Sequence, residues 1–234
     1  MSTSQPILTE SSSGNNKMLI AMVSIGILCA LLIVLTYEGT LPRIERLKAE
    51  ALEKAIFKVI PGITKTKTFR LQKDGTFLLT TDNPKTATVV YAGYDAQNKM
   101  QGIAIEASGQ GYADKIRILY GYDPGTQTIV GFYVLESKET PGLGDKIEKD
   151  PDFLVNFEAL DVSLKTNENM VRHKIVTVKS GSKHNPWELD GITGATISSR
   201  AIGDILAGST SEMVPLIFNN RETFKIIGKE DVNE

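Results

Sequence analysis

The residues with the most chemistry to offer lie together late in the chain, in Asp190-Gly191-Ile192-Thr193-Gly194-Ala195-Thr196-Ile197-Ser198-Ser199-Arg200. Glycine at 191 and 194 admits backbone angles that side chains forbid, and Ala195 leaves the approach to Thr196 uncrowded. A helix start is expected over 199–206, with Ser198 or Ser199 as its N-cap, because a short hydroxyl accepts hydrogen bonds from the first free amides. A hydroxyl-rich, glycine-bent turn entering a helix suits a phosphate, since unpaired N–H groups and the positive end of the helix dipole both face it. Plain N-capping without a ligand accounts for the same residues, and composition alone leaves both readings open.

A second stretch, Glu139-Thr140-Pro141-Gly142-Leu143-Gly144, combines a rigid proline turn with glycines that let backbone approach a flat ligand. By itself it reads equally as an ordinary long loop. Ser108-Gly109-Gln110-Gly111-Tyr112 invites comparison with a nucleotide loop but lacks the third glycine and a βαβ setting, so that reading is discarded.

Other chemistries are poorly supplied. The single cysteine, Cys29, falls inside an apolar run, which leaves the remainder without material for disulfides, cysteine-ligated zinc or iron–sulfur clusters. His173 and His184 lack a second histidine at metal-ligand spacing and are expected at the surface. A formal net charge of −2 gives no reason to expect nucleic acid. Any redox work would fall to an organic cofactor.

The elements that must position these residues divide the chain. Residues 1–17 read as a disordered tail, rich in Ser, Thr and Asn. Residues 18–37 are apolar without a charge, long enough at about 1.5 Å per residue to span a ~30 Å hydrocarbon core. A cleaved signal sequence would have a shorter apolar core and a small-residue cleavage site, so an uncleaved single-pass anchor is expected. Residues 38–62 form an amphipathic connecting helix: Ile44, Leu47, Ala51, Leu52, Ala55, Ile56 and Val59 recur at helical steps, and Pro61-Gly62 ends it. Strands follow at 66–71 and 76–81, 89–94 and 100–107, and 116–122 and 128–135. Each pair is joined by a turn rich in Asp, Asn or Gly. Residues 151–160 read as a short helix or turn and 174–179 as a strand. A polar loop over 181–187 ends at Trp187, expected to pack in a core or interface. One or two helices broken near Gly208 close the domain, and residues 225–234 are charged. The domain proper is placed at 63–228, with a tail at 229–234. The class is α+β: one N-terminal transmembrane helix, then an antiparallel sheet with flanking helices.

The 190–198 stretch matches, at every fixed position, the pattern Asp-Gly-x-Ser/Thr-Gly-Ala-Thr-x-Ser/Thr. It thereby resembles the flavinylation motif of the FMN-binding domain family, found in the G subunit of Rnf electron-transport complexes and the C subunit of Na+-translocating NADH:quinone oxidoreductases. The 139–144 stretch matches the same family's Glu-Thr-Pro-Gly-Leu-Gly segment, so the resemblance runs over about residues 89–206. It implies covalent FMN, held as a phosphoester of the Thr196 hydroxyl and attached by a separate Mg-dependent flavin transferase with FAD as donor. Asp190, Gly191, Thr193, Gly194, Ala195, Ser198 and Ser199 would shape the turn that enters that enzyme, Asp190 assisting its metal or activating the threonine. Glu139, Thr140, Pro141, Gly142, Leu143 and Gly144 would form part of the flavin pocket, Leu143 beside the isoalloxazine. No catalytic residue and no metal site are implied in this chain. It would be an electron carrier among other membrane subunits of an Rnf-type ferredoxin:NAD+ oxidoreductase, without turnover alone. The C subunit of a quinone reductase and a cofactor-free anchored assembly module are the alternatives.

Positive charge near the anchor favours its C-terminal side (Arg43, Arg46, Lys48, Lys54) over Lys17, which by the positive-inside rule would leave the domain in the cytoplasm. The resemblance implies the opposite, a domain on the extracytoplasmic side, and large domains can translocate despite their flanking charges.

Overall fold

Short, nearly continuous apolar runs along 89–94, 102–105 and 118–122 suit strands of a sheet buried on both faces, and that is how the chain folds. The computed structural model describes residues 13–80, 87–166 and 169–230. After helix α1 (Ser13–Val59) come strands β1 (Lys65–Leu71), β2 (Phe77–Leu79), β3 (Val89–Tyr94), β4 (Met100–Gln110), β5 (Lys115–Asp123) and β6 (Thr128–Glu136). Short helix α2 (Pro151–Leu154), strands β7 (Leu160–Asp161), β8 (Val176–Val178) and β9 (Glu188–Asp190), and helices α3 (Thr196–Asn219) and α4 (Arg221–Glu230) complete it. Seven strands form one antiparallel sheet in the order β2-β1-β3-β4-β5-β6-β7, and β8 and β9 pair in parallel apart from it. The α+β expectation is met.

The chain divides into two units, residues 1–50 and 51–234. In the first, α1 is continuous through Pro42, and the large apolar side chains at 18–37 are exposed along it, as a membrane-crossing helix requires. Most of the expected N-terminal tail lies outside the described residues; 13–17 are already helix. The amphipathic stripe splits: Ile44 and Leu47 are exposed, whereas Ala55, Ile56 and Val59 are buried.

In the second unit the two faces of the sheet carry different cores. On one face Tyr91, Ala104 and Leu119 pack with Ala55, Ile56, Val59, Ile60 and Ile63. On the other, Val90, Ile103, Ile105, Ile118 and Tyr120 pack with Ile202, Leu206, Val214 and Ile217 of α3 and Phe224 of α4. The first face has a glycine stripe: Gly93 pairs with Gly102 and Gly121 with Gly131 in adjacent strands. A Cβ at Gly121 would lie 2.0 Å from the Val59 carbonyl oxygen, and one at Gly131 2.4 Å from it. The missing side chains let the end of α1 rest directly on the sheet. Periodicity does not reveal such a seat, because glycine in a strand otherwise signals only weakness. Gly121→Ala is therefore expected to destabilise the domain by about 1–3 kcal/mol or more, since the clash is with backbone that cannot rotate away. An unchanged thermal midpoint would refute this seating.

Two expectations about the C-terminal helices are corrected. Helix α3 runs unbroken through Gly208 and Pro215, and the chain turns only at Asn220. Ile205, Leu206, Met213, Val214 and Ile217 bury one continuous stripe on the sheet, which outweighs the roughly 1 kcal/mol that an internal glycine costs. Nor is 225–234 simply a charged tail, because α4 continues to Glu230. Trp187 is half-buried and stacks on half-buried His173, with centroids 3.8 Å apart and planes 12° from parallel, so it packs beside the core and not within it.

Candidate functional site

The 190–200 stretch forms the end of β9, a tight turn and the first turn of α3. Each end of the turn is held by a separate device. Asn156, buried after α2, accepts from the Asp190 amide at 3.0 Å and donates to the Asp190 carbonyl at 3.1 Å, imitating a neighbouring strand. Lys183 Nζ donates to the same Asn156 oxygen at 3.0 Å. The Asp190 carboxylate accepts from the amides of Gly181 (3.0 Å) and Ser182 (3.2 Å), tying the preceding loop to the motif. Within that loop, the Glu188 carboxylate accepts from the His184 amide, then the Asn185 side chain and amide, which lowers its pKa to about 2.

Gly191 is there for proximity: its amide donates to the Val178 carbonyl at 3.0 Å, and a Cβ would come 2.7 Å from that oxygen. Only Gly194 needs glycine's conformational freedom, with φ of +83°. The expectation of special angles at both glycines is thus corrected for Gly191.

The N-cap expectation is also corrected. Helix α3 starts at Thr196, Ala195 sits in the N-cap position, and no side chain caps it. Ser198 and Ser199 lie inside the first turn and are buried. The Ser199 hydroxyl accepts from the Ile192 amide at 3.3 Å and donates to the Thr196 carbonyl at 3.2 Å, closing the turn from within. Serine caps were the natural reading because their hydroxyls suit that role, but burial against β8 and the 139–144 loop turns them inward.

Glu139 joins the loop to the helix. It is buried, accepts from the Ser198 hydroxyl, and accepts from the Ala113 amide at 2.9 Å. Gly144 is pressed against the pair: a Cβ there would lie 2.7 Å from Glu139 Oε2 and 2.9 Å from Ser198 Oγ. Thr140, Pro141, Gly142 and Leu143 are exposed. The two stretches singled out by sequence therefore meet at Glu139, Gly144 and Ser198. Asn156 and the 111–113 turn were not foreseen, because neither carries a local pattern that announces a distant partner.

Around this junction Thr193, Gly194 and Thr196 are exposed and Ala195 is buried, so the Thr196 hydroxyl is presented on a rigid base. The features fit FMN. The start of α3 has no side-chain cap, and free amides at a helix N-terminus suit a phosphate. Leu143 (53% exposed) and Ile197 (57% exposed) offer apolar surface to a flat ring. Among the described residues there is no cluster of His, Cys, Asp and Glu able to hold a metal.

Residues 111–208 match the family described as FMN-binding domain. The G subunit of an ion-translocating oxidoreductase complex from Methanosarcina acetivorans is 30% identical over 193 residues, covering 81% of this chain and 89% of that one. The corresponding G subunit of Pasteurella multocida is 41% identical over 93 residues, 39% of this chain and 41% of its own. Among solved structures, the C subunit of the Na+-translocating NADH-quinone reductase from Parabacteroides distasonis aligns with a TM-score of 0.57 at 20% identity, covering 75% of this chain and 96% of that one. Shewanella oneidensis NqrC aligns with a TM-score of 0.50 at 19% identity, covering 76% and 88%. At these identities the solved structures speak to fold alone. The length and identity of the Methanosarcina match, with an FMN-binding domain spanning both the 139–144 loop and the 190–198 turn, make this chain a member of the family of G subunits of ion-translocating oxidoreductase complexes.

Proposed function

We propose that this chain is a membrane-anchored electron carrier that holds FMN as a phosphoester of Thr196 and relays electrons among the other membrane subunits of an Rnf-type ferredoxin:NAD+ oxidoreductase. The observation that carries the reading is an exposed threonine hydroxyl at the first position of an α-helix without a side-chain cap, on a turn fixed from several sides. Bound FMN supplies one- and two-electron redox chemistry. The chain's residues would hold it: the uncapped start of α3 would receive the phosphate, and exposed Leu143 and Ile197 would supply apolar surface for the ring. During maturation the Thr196 hydroxyl gives up its proton and bonds to the FMN phosphorus of FAD. The diphosphate bridge breaks and AMP leaves, on a separate Mg-dependent flavin transferase. Asp190 keeps its carboxylate on the Gly181 and Ser182 amides, so its main contribution is to the shape of the turn. Relatives that are themselves G subunits favour the Rnf assignment over the C subunit of a quinone reductase.

Produced together with a flavin transferase, the chain is expected to gain the mass of one FMN and to fluoresce on a denaturing gel. No mass gain, with a transferase active on another acceptor, would overturn the reading and favour a cofactor-free assembly module.

The anchor at 18–37 is taken to cross the lipid bilayer with the domain on the extracytoplasmic side, where covalent attachment keeps a flavin from diffusing away. Protease added to cells stripped of their outer barrier is expected to digest the domain after Tyr37 and spare residues 1–17. The reverse pattern would mean that the flanking positive charges set the topology.

A further inference from the structure

Three segments converge on the Glu139 carboxylate, and each holds one large side chain out into solvent beside its point of contact. Ala113 donates its amide to Glu139 at 2.9 Å, and Tyr112 next to it is 66% exposed. Ser198 donates its hydroxyl to the other oxygen, and neighbouring Ile197 is 57% exposed. Gly144 abuts both groups, and Leu143 before it is 53% exposed. Scattered exposed apolar residues need no explanation, but several gathered around one junction mark a binding surface.

The 108–112 stretch, which lacks the makings of a nucleotide loop, gains a different meaning here. A Cβ at Gly109 would lie 2.6 Å from Ile205 Cγ1 of α3, and one at Gly111 would lie 2.5 Å from Glu139 Oε1. These glycines let the end of the β4–β5 hairpin press against α3 and the Glu139 junction. The turn itself is closed by the Gly111 amide on the Asp114 carbonyl at 2.9 Å and pinned by the Lys138–Asp114 ion pair. Tyr112 is thus an exposed aromatic on a turn bonded to the Glu139 carboxylate, which Ser198 of the 190–198 stretch also joins. The matched FMN-binding region also begins at this turn, at residue 111.

We propose that Tyr112 is a flavin-contacting residue, its ring set against the isoalloxazine of FMN attached at Thr196, with Leu143 and Ile197 completing the apolar seat. This rests on the Thr196 reading. A tyrosine suits the role because its ring is flat, loses little rotamer freedom, and keeps a polar tip that remains wet. The electron-rich phenol against an electron-poor flavin quenches flavin emission, which gives the contact a signature that a merely structural residue would not produce.

The test compares Tyr112→Leu and Tyr112→Phe with the wild-type chain, each full length, produced with a flavin transferase and purified in detergent. Intact mass is expected to show one FMN on all three, because Tyr112 lies outside the 190–198 turn. The folded Leu variant should emit several-fold more flavin fluorescence than wild type, with a shifted reduction potential and an unchanged thermal midpoint. The Phe variant should also brighten, because a ring without the phenol oxygen is a poor electron donor, while its potential and thermal midpoint stay close to wild type. A Leu variant that carries FMN with wild-type emission and potential would overturn the contact while leaving the Thr196 assignment standing. A folded Leu variant that fails to acquire FMN would also overturn it, making Tyr112 part of transferase recognition instead. A wild-type chain without FMN would overturn the attachment reading and this proposal with it.

Discussion

Replacing Thr196 by valine is expected to abolish covalent FMN while leaving the chain folded and anchored. Valine keeps the branched shape and loses only the hydroxyl that forms the phosphoester. Thr196 is exposed and its side chain caps nothing, so the cost in stability should stay within about 0.5 kcal/mol. Thr196→Ser, which restores a hydroxyl at the same helical position, should recover part of the loading. Thr193→Val should be mild, since Thr193 is exposed on the turn and precedes the helix. Intact-mass measurement decides: one FMN still attached to the valine variant would move the site elsewhere. Loss of loading from Thr193→Val as complete as from Thr196→Val, with Thr196 intact, would show that the transferase reads the turn more closely than this geometry implies.

Much of the scaffold was legible in the residues. The hairpin turns at Asp95-Ala96-Gln97-Asn98 and Asp123-Pro124-Gly125-Thr126 carry their own signals, and the strands they join are short runs rich in β-branched and aromatic residues. Pro61-Gly62 ends α1 as expected, with Gly62 at φ of +77°. What stayed hidden depends on partners distant in sequence. The strand expected at 174–179 forms as β8, but its parallel partner β9 is three residues long, too short for periodicity to detect. The glycine stripe under α1 and the Asn156 clamp on Asp190 are contacts between residues far apart along the chain. Within the site, the motif could be aligned from sequence, but the inward turn of Ser198 and Ser199 could not, because it is decided by what packs over them.

These hidden contacts explain how an exposed threonine can sit on a firm base. The turn's backbone groups are bonded to β8, Asn156 and Ser199, and the Asp190 carboxylate adds the preceding loop. A cofactor tethered through one flexible threonine bond and a phosphoester would otherwise swing widely. Electron transfer needs the ring held at a fixed distance from its neighbours, so the surfaces on either side of the tether must also be fixed. On the proposed reading Glu139 would perform that task for two of them, since it joins the 111–113 turn and the 139–144 loop to the start of α3.

Glu139→Ala is the second substitution expected to have a large effect, and it separates loading from positioning. Removing the carboxylate leaves the buried Ser198 hydroxyl without its acceptor and breaks the part-buried bond to the amide of exposed Ala113. The unsatisfied buried hydroxyl costs about 1–3 kcal/mol and the bond to Ala113, which water can replace, about 0.5–1.5, so a total of about 1.5–4.5 kcal/mol is expected. For a domain of this size that is roughly 3–18 °C in thermal midpoint. Amide exchange should accelerate most at 111–113 and 139–144, the segments that the carboxylate joins to α3, and less in the central strands. Glu139→Gln should be far milder, because its carbonyl oxygen can still accept from Ala113 while its amide donates to Ser198 Oγ, whose hydroxyl turns to another acceptor. FMN loading should stay near wild type in both, since the 190–198 turn keeps its bonds to Asn156, β8 and Ser199. Flavin emission and potential should change in the alanine variant alone, as the seat beside the tether loosens. Wild-type midpoint and exchange in Glu139→Ala would mean that the junction is held by the packing of Gly111 and Gly144, with the carboxylate incidental to it.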